Sequence, residues 1–124
     1  MNLPSFKQFI LKQPEILYEF ANLDYRRTGI EDIVIHCYSQ GNTKIQHGAR
    51  VKVSNVYGKF SNSDNFVIEV KTGSIVEGEC KLSQKELKII KLWISVNKQQ
   101  LIEYWNSQGQ MTTDDFLDSI KKVN

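Results

Sequence analysis

The sequence predicts an α+β fold: a small antiparallel meander of about four strands packed on a long C-terminal helix. Three observations predict it. Apolar residues alternate with polar ones through the middle of the chain, two helix-capping boxes lie in the last third, and the connections between periodic segments are short. With 124 residues, 40% of them hydrophobic, one core can form, so the whole chain reads as a single α+β domain over residues 1–124.

The N-terminal part carries Pro4-Ser5, then Phe6, Phe9 and Ile10, and Gln13-Pro14 interrupts this pattern. Ile16, Leu17, Phe20 and Leu23 recur at helical spacing until Thr28-Gly29. Two short helices, or one kinked helix, are expected here, covering the sheet.

The period then changes from helix to strand. Ile33, Ile35 and Cys37 alternate with Val34, His36 and Tyr38. Ser39-Gln40-Gly41-Asn42 reads as a turn. Ala49, Val51 and Val53 share one face of the next strand, with Arg50, Lys52 and Ser54 on the other, the pattern of a sheet with one dry and one wet face. Past the polar cluster Ser61 to Asn65, a third strand carries Phe66, Ile68 and Val70. Thr72-Gly73 marks a tight hairpin into a fourth strand, Ile75 to Cys80.

Ser83 and Glu86 form a capping box, and Leu82 and Leu87 are placed as a hydrophobic staple. Leu87, Ile90, Ile94, Leu101 and Tyr104 fall on one stripe, flanked by Trp93 and Trp105 and interrupted by Asn97. Lys85, Lys88, Lys91 and Lys98 occupy the outward side, which reads as a solvated helix face. Asn106-Ser107-Gln108-Gly109 ends the helix. A final short helix opens at Thr112, with Asp115 at the third position and Met111 and Phe116 as staple.

Charge is segregated. No acidic residue lies between Asp32 and Asp64, a window that holds Lys44, Arg50, Lys52 and Lys59, although the whole chain carries only +2. Arg50 and Lys52 point one way from their strand, with Lys44 and Lys59 in flanking loops. His36, His47, Tyr57 and Phe60 lie near them in sequence. The candidate contact residues are therefore Arg50, Lys52, His47, Lys44, Lys59 and Tyr57. A basic sheet face with aromatics suits a protein partner, or RNA or DNA through phosphate contact and stacking. A plain solvated sheet face is the competing reading.

Chemistry finds less footing. His36 and Cys37 are strand neighbours and project oppositely, so they make no dyad, and Cys37 and Cys80 read as core residues. No CxxC, HxxxH, GxxxxGK or GxGxxG spacing occurs. The sequence thus favours a module without catalysis, metal or cofactor. Two cysteines, no membrane-length apolar run and no basic leader favour the cytoplasm.

Val76-x-Gly78-x-x-Lys81-Leu82 after the Thr-Gly hairpin, followed by Leu87, Ile90, Trp93-Ile94, Asn97, Leu101 and Trp105, resembles domain of unknown function 4160. This is a small prokaryotic family, some of whose members are encoded in toxin–antitoxin-like gene pairs. The resemblance covers roughly the C-terminal half, from about His47 to about position 106. It implies a small sheet packed on a long helix and no established catalytic activity. Typical members carry HxxPPHxHV entering the second strand; here Gln46-His47-Gly48-Ala49-Arg50-Val51 stands instead, with Arg50 in place of the last histidine. A role for those histidines does not carry over. The expectation is a small interaction module of a toxin–antitoxin-like or mobile-element system. The alternative is an RNA-binding or RNA-cleaving toxin-like protein, with His47 as acid or base and Arg50 on phosphate.

Overall fold

The computed structural model describes residues 17–40 and 48–124. The chain begins there with a strand, β1 (Leu17–Leu23), where the sequence spacing predicted helix. Leu17, Phe20 and Leu23 at three-residue spacing would share one helix face, whereas in a strand Phe20 falls on the face opposite Leu23. Pairing decides between them: Ala21 lies opposite Cys37 and Leu23 opposite Ile35, on a face that is buried, while Phe20 turns to the other face. A partner strand with six aligned residues satisfies more backbone than a short helix can. The readings that fell on Phe6, Phe9, Ile10 and Pro14 lie outside the described residues. One helical turn does follow, α1 (Tyr25–Thr28), where Asp24 accepts the Arg26 backbone N–H and the Gly29 N–H closes on the Tyr25 carbonyl.

β2 (Ile35–Gln40), β3 (Arg50–Ser54), β4 (Asn65–Glu69) and β5 (Ile75–Glu77) complete a five-stranded antiparallel sheet in the order β1-β2-β3-β4-β5. The expected meander is present, with β1 added at its edge. Among the described residues β2 and β3 pair only at Ile35 with Val53 and His36 with Lys52. β5 is shorter than the sequence run Ile75–Cys80. Gly78 ends it at φ 74°, and a Cβ there would stand 2.6 Å from the Asn65 carbonyl oxygen, so the chain can pass only as glycine.

The inner face carries Leu23, Ile35, Cys37, Val51, Val53, Phe66 and Ile68, all buried. Three helices cover it. α2 (Gln84–Val96) starts at the predicted capping box, with Ser83 Oγ accepting the Glu86 N–H and Glu86 Oε1 accepting the Ser83 N–H. The single long helix expected from the stripe is instead two, because Asn97 separates α2 from α3 (Lys98–Asn106). Asn97 is 0% exposed, and its carboxamide bonds to the chain beyond the last helix rather than to solvent. α4 (Thr113–Ser119) is capped by Thr112 as its sequence predicts, and Phe116 stacks on Tyr104 at 4.0 Å between ring centroids. Ile90, Trp93, Ile94, Leu101, Tyr104 and Trp105 reach the sheet from these helices.

Candidate functional site: the outer face of the sheet

Strand register builds the outer face as a file of residues across all five strands. Asn22 lies opposite His36, His36 opposite Lys52, Lys52 opposite Val67 and Val67 opposite Glu77. Phe20 pairs with Tyr38 and Arg50 with Glu69 in the neighbouring row, both on the same side of this file.

His36 is the centre of a ring cluster. Phe60, from the loop after β3, stacks on the imidazole at 4.8 Å; Phe20 lies at 5.4 Å and Tyr38 at 5.5 Å. The sequence placed His36 on a wet face, yet it is only 9% exposed, because Phe60 folds back over it. Its Nδ1–H donates to Asn22 Oδ1 at 2.7 Å, which leaves Nε2 as the bare nitrogen. Burial, assisted by the charge of Lys52, lowers the imidazole pKa to about 4, so the ring is neutral at ordinary pH.

The basic residues meet acids that are distant in sequence. Arg50 Nη1 pairs with Glu77 Oε2 at 2.8 Å, its side chain is only 20% exposed, and Glu69 sits directly across the ladder. Arg50 Nε is buried without a hydrogen-bond partner among the described residues. The acid-free window is therefore a property of the sequence and not of the surface: β4 and β5 return carboxylates to the same face. Lys52 lays its Nζ over the Tyr38 ring at 5.7 Å, and Tyr38 in turn meets Trp105 at 5.0 Å.

The remaining sequence candidates separate. Lys59 is exposed in the β3–β4 loop, whose backbone is fixed by Ser54 Oγ donating to the Lys59 carbonyl at 2.7 Å. Tyr57 donates its hydroxyl to Glu86 Oε1 at 3.0 Å, which places it at the start of α2 rather than among the rings. Lys44 and His47 lie outside the described residues. Phe20, Asn22 and Glu77 are the members that sequence reasoning missed, whereas Phe60 was legible as an aromatic near the basic strand. Alternation of Phe20 and Asn22 within Leu17–Leu23 was the available signal for two of them.

Cys37 is fully buried, and burial pushes its thiol far above the range in which a thiolate forms. Cys80 is half-buried and donates its thiol to the Leu82 carbonyl at 3.8 Å. Among the described residues no group of three His, Cys, Asp or Glu side chains could hold a metal ion, and no helix is long and apolar enough to cross a membrane.

These features define an α+β domain with one helix-covered sheet face and one open aromatic face. No family model, curated protein or solved structure matches the chain.

Proposed function

We propose that this chain is a small interaction module that docks a protein partner on the outer sheet face, with Phe20 as anchor and Tyr38 and Lys52 beside it. One observation carries the reading: Phe20 is 57% exposed on a strand whose opposite face is in the core, alongside three further rings. Exposed aromatics with rigid surroundings are the usual energetic centres of protein interfaces. The balance of Arg50 and Lys52 by Glu77 and Glu69 favours a protein over a polyanion, whose binding scales with uncompensated cations. A toxin–antitoxin-like gene pair, as the resemblance to domain of unknown function 4160 implies, would supply such a partner in the cytoplasm, where two free thiols persist.

A second reading, RNA held by stacking, is favoured by the ring faces beside Lys52. In its cleaving form it would use His47 and Arg50, and Arg50 is already engaged by Glu77.

Site-specific photo-crosslinking decides between them. A benzoylphenylalanine placed at position 20 of the full chain is expected to capture one protein in cells, and Lys52→Glu is expected to weaken the capture. Nuclease-sensitive capture of RNA would establish the second reading. Absence of any crosslink, with normal crosslinking efficiency in a control protein, would overturn both.

A further inference from the structure

A second surface lies on the other side of the molecule and rests on none of the preceding reading. A groove of about 690 Å³ runs between α2 and the C-terminal tail, with Ile30, Ile89, Leu92 and Val123 among its lining residues. The tail wall is fixed rather than loose. The Val123 N–H donates to the Thr28 carbonyl at 3.0 Å, Asn124 Nδ2 donates to the Gly29 carbonyl at 3.2 Å, and Asn97 holds Lys121. A preformed wall spares a ligand the cost of ordering it.

The spacing of Lys85, Lys88 and Lys91 predicts a solvated lysine face on this side of α2. The structure adds an apolar stripe to it. Lys85, Ile89, Leu92 and Val96 recur at helical spacing, and Leu92 is 53% and Val96 42% exposed. The stripe spans roughly 16 Å, about three helical turns. That is the length over which an amphipathic helix lays its apolar residues into a groove.

The charge around the stripe has one dominant sign. Lys85 lines the groove, Lys88 flanks the stripe, and Lys121 and Lys122 are exposed on the tail beside Val123. Glu31 and Glu86 also line it; the Ser83 N–H and the Tyr57 hydroxyl hold Glu86 without cancelling its charge, so four lysines stand against two carboxylates and the rim is net positive. Two other occupants fit poorly. A symmetric contact with a second copy would bring these lysines against one another. Residues 1–16 carry Lys7 and Lys12 against one acid, Glu15, which is the wrong sign.

We propose that the groove between α2 and the C-terminal tail receives an acidic amphipathic helix from another protein. Leu92 and Val96 would take its apolar side chains, and Lys85, Lys88 and Lys122 would face its carboxylates. The complementary charge sets orientation and encounter rate, while the apolar stripe supplies the hold.

The test uses the full chain and two fluorescent helical peptides with the same leucine stripe, one with glutamates and one with lysines at the outward positions. In fluorescence anisotropy the acidic peptide is expected to bind at least about tenfold more tightly than the basic one, with affinity falling as salt rises. Leu92→Ser is expected to weaken it about tenfold, and the pair Lys85→Glu with Lys122→Glu by a similar factor. Both changes are at exposed positions, and an unaltered melting temperature verifies that the fold is kept. Val96→Ser serves in place of Leu92→Ser if that variant melts early. Equal binding of the two peptides, no binding, or binding indifferent to these variants would overturn the proposal. So would preference for phosphatidylcholine vesicles with about 30% phosphatidylserine, which would make this a membrane-contact face. A dimer of the free chain that Leu92→Ser dissolves would assign the groove to self-association and overturn it equally.

Discussion

The Asn97 carboxamide holds the backbone of Lys121 from both sides: Oδ1 accepts the Lys121 N–H at 2.7 Å, and Nδ2 donates to the Lys121 carbonyl at 2.9 Å. The same Nδ2 also donates to the Trp93 carbonyl at 3.0 Å, one turn back in α2. A polar residue that seemed to interrupt an apolar stripe thus joins three segments, the end of α2, the start of α3 and the tail.

Asn97→Ala should therefore cost about 3 kcal/mol, because it removes buried hydrogen bonds and leaves their partners in a dry site. Asn97→Leu should not recover the loss, since it restores volume without donors or acceptors. Urea denaturation measures both. Hydrogen exchange should show the Lys121 and Val123 amides losing protection first.

His36 gives the protein an acid-side weakness. Its folded-state pKa, about 4, lies below the ordinary 6.5. Between those values the unfolded chain binds a proton that the folded one does not, so stability falls as pH drops from about 6.5 to about 4 and is level above that window with respect to this group. The full effect is at most about 3 kcal/mol for a shift of this size. His36→Gln should flatten the dependence in that window, as read from melting temperature against pH, and the wild-type imidazole should titrate near 4 by NMR.

The Arg50–Glu77 pair should be worth little as a bond. Glu77 is 64% exposed, and a pair with one wet partner contributes about 0.5–1 kcal/mol in a double-mutant cycle. Arg50→Met should be close to neutral, since a side chain only 20% exposed keeps its apolar stem and the unpartnered Nε is removed. A loss above about 2 kcal/mol in Arg50→Met would contradict this account.

Glycine-to-alanine changes should separate two costs. At Gly78 the new Cβ meets the Asn65 carbonyl oxygen and the backbone is left-handed, so a loss of about 2–4 kcal/mol is expected. At Gly73, also left-handed but with open space around it, only about 1–2 kcal/mol should be lost. Parallel thermal melts of the two variants test the difference.

Local signals carried most of the helical part of this fold. Ser83 with Glu86, and Thr112 with Asp115, act over three residues and need no tertiary partner, so each boundary was legible. The inner faces of β3 and β4 were legible for the same reason, since apolar residues recur at every second position, although Val67 on the outer face of β4 is buried as well. Non-local events were not. Leu17–Leu23 is a strand because β2 lies beside it, and the split at Asn97 depends on Lys121, 24 residues further on. The outer sheet face suffered most. Glu77 reaches Arg50 from 27 positions away, and Phe60 covers His36 from 24 positions away, so neither the charge balance nor the burial could be read from neighbouring letters.

Among the described residues β2 and β3 share two ladder pairs, with the Ser54 N–H adding a bond to the Val34 carbonyl, and this juncture has a mechanical consequence. It makes a seam between a two-stranded leaf, β1 with β2, and a three-stranded leaf, β3 to β5. The ring cluster bridges that seam, with Phe20, His36 and Tyr38 on one leaf and Phe60 and Lys52 on the other. Whatever rests on Phe20 and Lys52 together is then a splint: occupancy of the face and cohesion of the two leaves rise and fall as one quantity.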